Sequence, residues 1–350
     1  MTSKRITISI SQIAPLVGLD AYNNFPRIIC ELWRKNDPAD FKLFETKLKE
    51  QGNQIATSNE MNDIWEADEA LGTNILQQVK DINANKDKSS CDMVSQQEAI
   101  AKYINNNEKL ANLDDKKKEE LAKKVCSVTN KMHGVINEDS VLSEFCRLSE
   151  KTIKQTQGWI EIPCYEGTSE DSSEGTHGSL AKAMSRTEPS LRELPPSEPP
   201  SISSSSSTST TSSSTKPNLK WVLVGKYDAI TTDDELVEAK MRQKCLFKKV
   251  RDYENVQVQL YLHALKFHQA YLVESYTNKK NVNQTYVNEI KYDEEYVINN
   301  ILERLQKFIK FFDVMMGSEE FKEGLLKGDK NRRIYNIYES EYLCLESLNF

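Results

Sequence analysis

The chain has 350 residues, 38% of them apolar, so it can hold one large domain or two small ones around a sizeable core. Seven scattered cysteines without a C-x-x-C pair argue against a disulfide framework, a zinc site or an iron–sulfur cluster. No apolar run approaches the length of about 20 residues that a membrane-spanning helix needs. We therefore expect a soluble intracellular protein with no membrane contact, in the cytoplasm or nucleus.

The formal net charge of −7 is the one global feature that disfavours nucleic acid as a partner. Proteins that bind phosphate usually carry a basic footprint. Acids that collect in a tail or linker can hide such a footprint, so local charge matters more than the total.

Two short helices are predicted at the beginning of the chain. Ser11 fits a helix N-cap and Gly18 a C-terminal stop. Residues 27–35 have apolar side chains at helical spacing, which predicts an amphipathic helix. A helical hairpin that only packs on the core is the simplest interpretation of this segment.

Residues 41–131 predict several helices and almost no strand. Apolar side chains recur at helical spacing in a background of Lys, Glu, Asn and Gln, with Asn-rich loops at 83–90 and 105–107. The lysine-rich segment 114–124 begins with its acids, as the helix dipole prefers. We interpret its lysines as a solvated face rather than a phosphate-binding surface.

The next segment predicts a helix over 139–150 and a short strand over 158–165. Glu138 would lie in the first turn of that helix, where a carboxylate is usually a cap. Residues 166–217 are mostly Ser, Thr, Pro, Gly and Glu, and such a segment cannot bury enough apolar area to offset its ordering entropy. We expect a disordered insertion at the tip of a hairpin.

The chemistry is concentrated in a second predicted hairpin. Residues 221–230 are β-branched and apolar, 231–234 are turn-like, and 235–241 return as a strand. Alternation puts Glu238 and Lys240 on one face of that strand, with Asp228 on its partner. Oxygen ligands beside a lysine suit a hard cation and a positioned water, although a solvent-facing edge hairpin would also carry such charges.

The segment after this hairpin supplies the missing positive charge and the rest of a core. Residues 242–251 are strongly basic, and the helix predicted over 253–267 lets Gln257 reach the adjacent strand. Strands over 270–276 and 285–292 form a further hairpin, and Asp293 caps a long helix over 294–316.

Several features in this order resemble one family. They are Gly134 followed by Glu138, Asp228 ten residues before Glu238, the Glu-Ala-Lys triplet ending at Lys240, Gln257-Val-Gln, and a helix–strand–strand–helix ending. The chain is similar to the lambda-exonuclease or YqaJ-type branch of the PD-(D/E)xK nucleases, which includes viral alkaline exonucleases. Tyr227 replaces the proline of the family name.

The resemblance implies a fold and a set of roles. The fold is α/β (α+β), a restriction-endonuclease-like core with a central mixed β-sheet flanked by helices, an added N-terminal helical region and the Ser/Thr-rich insertion. Mg²⁺, with Mn²⁺ as a substitute, would be held by Asp228, Glu238 and the Ala239 carbonyl, supported by Glu138. Lys240 would orient or deprotonate the attacking water, and Gln257 would hold Lys240 or the phosphate. Further DNA or 5′-phosphate contacts are expected at Lys4, Arg5, Ser11, Arg242, Lys244, Lys248, Lys249 and Arg251.

The expected organisation has four parts: 1–165 with the N-terminal helices and first half of the core, the insertion 166–217, the second half of the core at 218–316, and a tail at 317–350 that packs on the core. The expected function is a DNA exonuclease acting from duplex ends, 5′ to 3′, in viral-type recombination, repair or genome processing. A virus-infected host cell is one setting, and a single-strand-annealing protein and a second copy of the chain are candidate partners. A structure-specific endonuclease and an inactive nucleic-acid-binding scaffold are the alternatives.

Overall fold

The computed structural model describes residues 5–20, 25–52, 64, 67–69, 72–75, 77, 93–136, 138–164, 221–277, 282–327, 338 and 342. The strands and longer helices, in chain order, are β1 Ile6–Ser9, α1 Ile13–Leu16, α2 Phe25–Asn36, α3 Pro38–Glu50, α4 Met93–Asn106, α5 Asp115–Ile136, α6 Glu138–Ser149, β2 Ile153–Cys164, β3 Trp221–Thr231, β4 Leu236–Arg242, α7 Asp252–Leu265, β5 Gln269–Thr277, β6 Asn283–Lys291, α8 Glu294–Tyr296, α9 Glu303–Met315 and α10 Glu319–Lys327. A π-helical segment, Val297–Leu302, joins α8 to α9. None of the described helices is long and apolar enough to cross a membrane.

Six strands form one mixed sheet in the order β1-β3-β4-β5-β6, with β2 also paired to β3. The β1–β3 and β4–β5 pairs are parallel, whereas the other pairs are antiparallel. Helices cover the sheet on both sides. The predicted fold class, a central mixed sheet flanked by helices, is therefore confirmed.

One edge of β3 pairs with two different strands, β1 near its beginning and β4 near its end. Its first residues pair with β1, from Trp221 to Val224, and Ala229 and Ile230 near its end pair with β4. In the described sheet, residues 225–228 pair with neither β1 nor β4, while β2 runs along β3 throughout. We call residues 225–228, with the part of β4 that separates from them, the fork.

Two apolar clusters hold the sheet from opposite sides. The larger includes Leu236 of β4 and Val256 and Leu260 of α7. The smaller lies under α6 and includes Phe145 and Val237. Since Leu236 and Val237 belong to different clusters, β4 alternates between the two sides as its sequence predicts.

In the described part of 41–131 the predicted helices are present, and they have a small core of their own. Ile100 and Ile104 of α4 pack with Val125 of α5, and Leu110 joins them from the turn between these helices. The predicted loop at 83–90 lies outside the described residues, as do the insertion 166–217 and most of the tail 317–350.

The beginning of the chain differs from its prediction. Ile6–Ser9 is a strand that pairs with β3. Ser11 is not a helix cap, because it lies inside a 3-10 turn and its hydroxyl is 2.9 Å from that of Ser9. Gly18 does end the helical segment, with a φ of 75°, which only glycine adopts readily. The prediction for Asp293 is confirmed, since its Oδ1 accepts the Tyr296 amide at 2.9 Å.

Gly225 marks the place where α7 comes closest to the sheet. A Cβ atom at this position would lie 2.5 Å from the Tyr261 ring and 2.8 Å from Ile10. We expect Gly225→Ala to lower the free energy of unfolding by about 1–3 kcal/mol, as overpacking does. Urea unfolding measures this, with Gly324→Ala as the control, because a Cβ there meets nothing within 4 Å. Equal stability of the two variants would contradict the close packing at Gly225.

Candidate active site

The fork brings the predicted acidic residues and lysine together. Asp228 ends the part of β3 that pairs with neither β1 nor β4, and its Oδ2 accepts the Ala239 amide of β4 at 2.8 Å. The side chain thus takes the place of a backbone acceptor that the separated strands no longer supply. Asp228 is thereby fixed beside the β4 residues Glu238 and Lys240.

Glu238 is the most deeply buried of these charged groups, with 2% of its surface exposed. Its Oε1 accepts from Lys240 Nζ at 2.6 Å and from Gln257 Nε2 at 2.9 Å, whereas its Oε2 has no partner among the described residues. Burial raises the pKa of Glu238 to about 7, with Asp228 adding to the rise and Lys240 opposing it. A buried carboxylate oxygen without a partner is costly, and a ligand that satisfies it would be stabilised.

Lys240 remains cationic in this setting. Burial lowers the pKa of its ammonium group, but attraction to Glu238 and Asp228 outweighs burial, so the net pKa is raised. The Lys240 side chain is 27% exposed, so part of it reaches the surface of the site. It can therefore act as a charged donor in the site.

A chain of hydrogen bonds from α7 holds Glu238 in place. Gln257 Nε2 donates to Glu238 and also to Tyr261 Oη at 3.2 Å. Tyr261 Oη donates in turn to the Lys226 carbonyl of the fork at 2.8 Å. Burial raises the pKa of Tyr261, so it stays a neutral donor.

Glu138 begins α6 and approaches the fork from the other side of the sheet. Its Oε1 accepts from Gln157 Nε2 at 3.4 Å. Burial and the nearby Asp228 raise the pKa of Glu138, while burial raises that of Asp228 against the effect of Lys240. Gln157 has a φ of 54°, a left-handed conformation that is uncommon for a residue with a side chain. These contacts place Glu138 in the same group as Asp228.

The donor set suits a hard cation. It consists of carboxylate oxygens with raised pKa values and the unpartnered Glu238 Oε2, and hard divalent cations prefer oxygen. Within the described ranges, no group of three His, Cys, Asp or Glu side chains is placed to hold a metal ion. A cation would thus take Glu238 Oε2 and Asp228 together with backbone or water oxygens.

The basic run after β4 separates into two kinds of residue. Arg242 has only 11% of its side chain exposed: its Nε donates to Glu274 at 2.8 Å, and its Nη2 lies 2.6 Å from Glu254 as an ion pair. Arg251 lies over the Phe247 ring at 4.3 Å. The exposed positions are Lys244, Lys248 and Lys249. The structure therefore gives Arg242 a structural role and leaves the lysines open to a ligand.

Removing Arg242 tests this division. Arg242→Met leaves Glu254 and Glu274 buried without their cation, and we expect it to lower the free energy of unfolding by about 3–5 kcal/mol. Lys249→Met is the matched control and should change stability by less than about 0.5 kcal/mol. Thermal unfolding of both variants measures the difference. A small effect at Arg242 would mean that the buried carboxylates have another source of charge balance.

The predicted phosphate contacts near the N terminus are not brought into the fork by a described contact. Lys4 lies outside the described residues. Arg5 pairs with Glu161 of β2 at 2.9 Å and is exposed, and Ser11 contacts Ser9.

Three residues of the site were not anticipated from the sequence. Gln157 holds Glu138, Tyr261 holds Gln257, and the Lys226 ammonium acts on the pKa values of Glu138 and Asp228. Two of these residues could have been found from their spacing in the sequence. Lys226 lies two residues before Asp228, hence on its face of the strand, and Tyr261 lies four after Gln257, hence on its face of the helix.

The sequence and structure were compared with known proteins. No family model matches the chain, and no curated protein matches it. Among solved structures, the chain is similar to an alkaline exonuclease from Laribacter hongkongensis, with a TM-score of 0.32 and 11% identity, over 62% of this chain and 88% of that one. At this distance, a function has to come from the residues of the site themselves.

Proposed function

We propose that the protein is a metal-dependent nuclease that hydrolyses phosphodiester bonds of DNA from duplex ends, in the 5′ to 3′ direction. The observation that supports this most is the set of contacts at the fork: Asp228 fixed by the Ala239 amide, and Glu238 buried with one free oxygen beside Lys240. A carboxylate pair next to a lysine provides the positions that metal-assisted hydrolysis requires.

The residues present fit Mg²⁺, or Mn²⁺ as a substitute. Asp228, Glu238 and the Ala239 carbonyl would hold it, and Glu138 would support it directly or through water. When bound, such a cation lowers the pKa of a water molecule and stabilises charge on the phosphate. Burial is the main cause of the raised pKa values of Asp228 and Glu238. A bound cation would favour the charged form of both carboxyl groups.

The protein's own groups would then position the reactants. Lys240, a charged donor with access to solvent, would orient the attacking water and exchange a proton with it. Gln257 would keep Glu238 turned toward the cation through its bond to Tyr261. Lys244, Lys248 and Lys249, exposed after β4, would attract the DNA backbone despite the negative net charge of the chain.

The wider role belongs to the same proposal: recombination, repair or genome processing inside a cell, including a virus-infected one. The proposed partner is double-stranded DNA with free ends. A single-strand-annealing protein and a second copy of the chain stay predictions.

The test is cleavage of a linear, 5′-phosphorylated duplex with Mg²⁺, beside a closed circular duplex and beside the Asp228→Asn protein. We expect the linear duplex alone to be degraded, and neither Asp228→Asn nor wild type in EDTA to degrade it. Cutting of the circle would replace the exonuclease by an endonuclease. Binding of both DNAs without cleavage in Mg²⁺ or Mn²⁺ would overturn hydrolysis and leave a scaffold.

A further inference from the structure

Trp159 is a large apolar side chain left open to solvent in the middle of β2. It is 42% exposed, whereas Trp33 and Trp221 are buried. Its strand neighbours Ile160 and Ile162 are 0% and 5% exposed and belong to the large core. Because side chains alternate along a strand, Trp159 and Ile160 lie on opposite sides of the sheet. An indole in this position has no part in the described core.

The location of Trp159 is set by its neighbours in the sheet. It pairs directly with Lys226 of β3, and residues opposite each other in an antiparallel pair share a face, about 5 Å apart. Lys226 precedes Asp228 by two residues, and Gln157, two before Trp159, donates to Glu138. The indole and the ammonium group thus continue the row of side chains that ends at the carboxylates.

The same side of the sheet is covered differently along its width. Helix α6 packs Val141, Leu142 and Phe145 against β4 and β5. Beyond the start of α6, the β2 and β3 side chains are only partly covered, Lys226 and Glu161 among them. This leaves a strip of sheet face that runs into the fork.

An aromatic ring beside a cation is how proteins hold unpaired nucleic acid. The ring stacks on a base and the cation pairs with the backbone phosphate. A base inside a duplex already has both faces stacked, so an exposed indole selects a base that has left the helix.

We propose that Trp159 stacks on an unpaired base of the DNA strand next to the cleaved phosphate, with Lys226 beside that nucleotide's phosphate. The inference rests on the proposed function, because it places the nucleic acid at the fork. It adds a substrate class: the site takes a frayed or single-stranded end.

The test measures binding without cleavage, in the full-length Lys240→Ala protein with Ca²⁺. The probe is a fluorescently labelled thymidine oligonucleotide, either intact or with one abasic residue moved along it. We expect one abasic position to weaken binding by about tenfold, a typical effect of losing one base–aromatic stack. Trp159→Ala should weaken binding of the intact probe by a similar factor. The affinity of this variant should no longer depend on whether that position is abasic.

Two further variants make the result specific. Trp159→Phe keeps an aromatic ring and should retain most of the affinity, which also shows that the strand still folds. Leu43→Ala removes an apolar side chain that is 66% exposed on α3 and should change nothing.

The inference is overturned if Trp159→Ala and Trp159→Phe bind the intact probe as the parent does, with the same abasic penalty. Tighter binding by Trp159→Ala would also overturn it, and would indicate that a segment of the chain itself packs against the indole in place of DNA. If wild type cleaves duplex ends but Trp159→Ala keeps the abasic penalty, only the stacking site is wrong. If Trp159→Ala loses the abasic penalty but wild type cleaves no DNA, only the proposed hydrolysis is wrong.

Discussion

Lys240→Met is expected to lower the single-turnover rate of DNA cleavage by about a thousandfold or more, within the range for losing a positioned acid–base group. The ammonium group lies 2.6 Å from Glu238 and is the cation that keeps the Glu238 pKa from rising further. Methionine retains the apolar stem of lysine but can neither orient a water nor balance the carboxylate. The strand itself should be preserved, because the stem packs as before.

The matched control is Lys310→Met, since Lys310 is an exposed lysine on α9. We expect it to cleave at the wild-type rate. Circular dichroism and DNA affinity of both variants separate a lost reaction from a lost fold. A Lys240→Met protein that cleaves within tenfold of wild type would show that the fork works without this amine.

Glu238→Gln is expected to abolish cleavage and to make the metal-free protein more stable. Burial holds the pKa of Glu238 at about 7, against an ordinary value of 4.5. The difference corresponds to about 3 kcal/mol of destabilisation at pH 8. Glutamine keeps the shape and accepts the Gln257 hydrogen bond without a buried charge. We expect a gain of about 1–3 kcal/mol at pH 8 in EDTA.

The pH dependence follows from the raised pKa. Below pH 4.5 the carboxyl is protonated in both folded and unfolded protein, and the variant has little advantage. Between pH 4.5 and about 7 only the folded protein holds the proton, so wild-type stability falls as pH rises. The advantage of Glu238→Gln should therefore grow across this window and stay constant above it.

Urea unfolding at several pH values in EDTA measures this advantage, with Glu289→Gln as the control because Glu289 is exposed on β6. Adding Mg²⁺ should stabilise wild type and leave Glu238→Gln unchanged. A variant that is less stable than wild type at pH 8 would mean that the Lys240 ion pair outweighs the burial of Glu238.

The core of the candidate site could be read from the sequence because it is local. Asp228, Glu238 and Lys240 belong to one hairpin, and alternation along β4 puts Glu238 and Lys240 on the same face. Gln257 follows on the next helix, one turn before Tyr261. Contacts of this kind depend on short stretches of chain, whose geometry is fixed by secondary structure.

The rest depends on residues that are distant in sequence. The sequence places Arg242 in a basic patch, yet its side chain forms ion pairs with Glu274 and Glu254. No local sequence pattern predicts such a pairing. Gln157 donates to Glu138 from a left-handed position with a φ of 54°, which no local pattern announces. Ile6–Ser9 has too few residues for its alternation to separate a strand from the start of a helix.

The parallel pairing of Ile6 with Trp221 also bears on the order in which the molecule is assembled. Closing a loop of about 215 residues is entropically expensive, and contacts of such separation form late in folding. On a ribosome, β1 emerges long before β3 is synthesised, and its apolar side chains Ile6 and Ile8 stay uncovered until then. We expect this first segment to be the part of the nascent chain that most needs a chaperone.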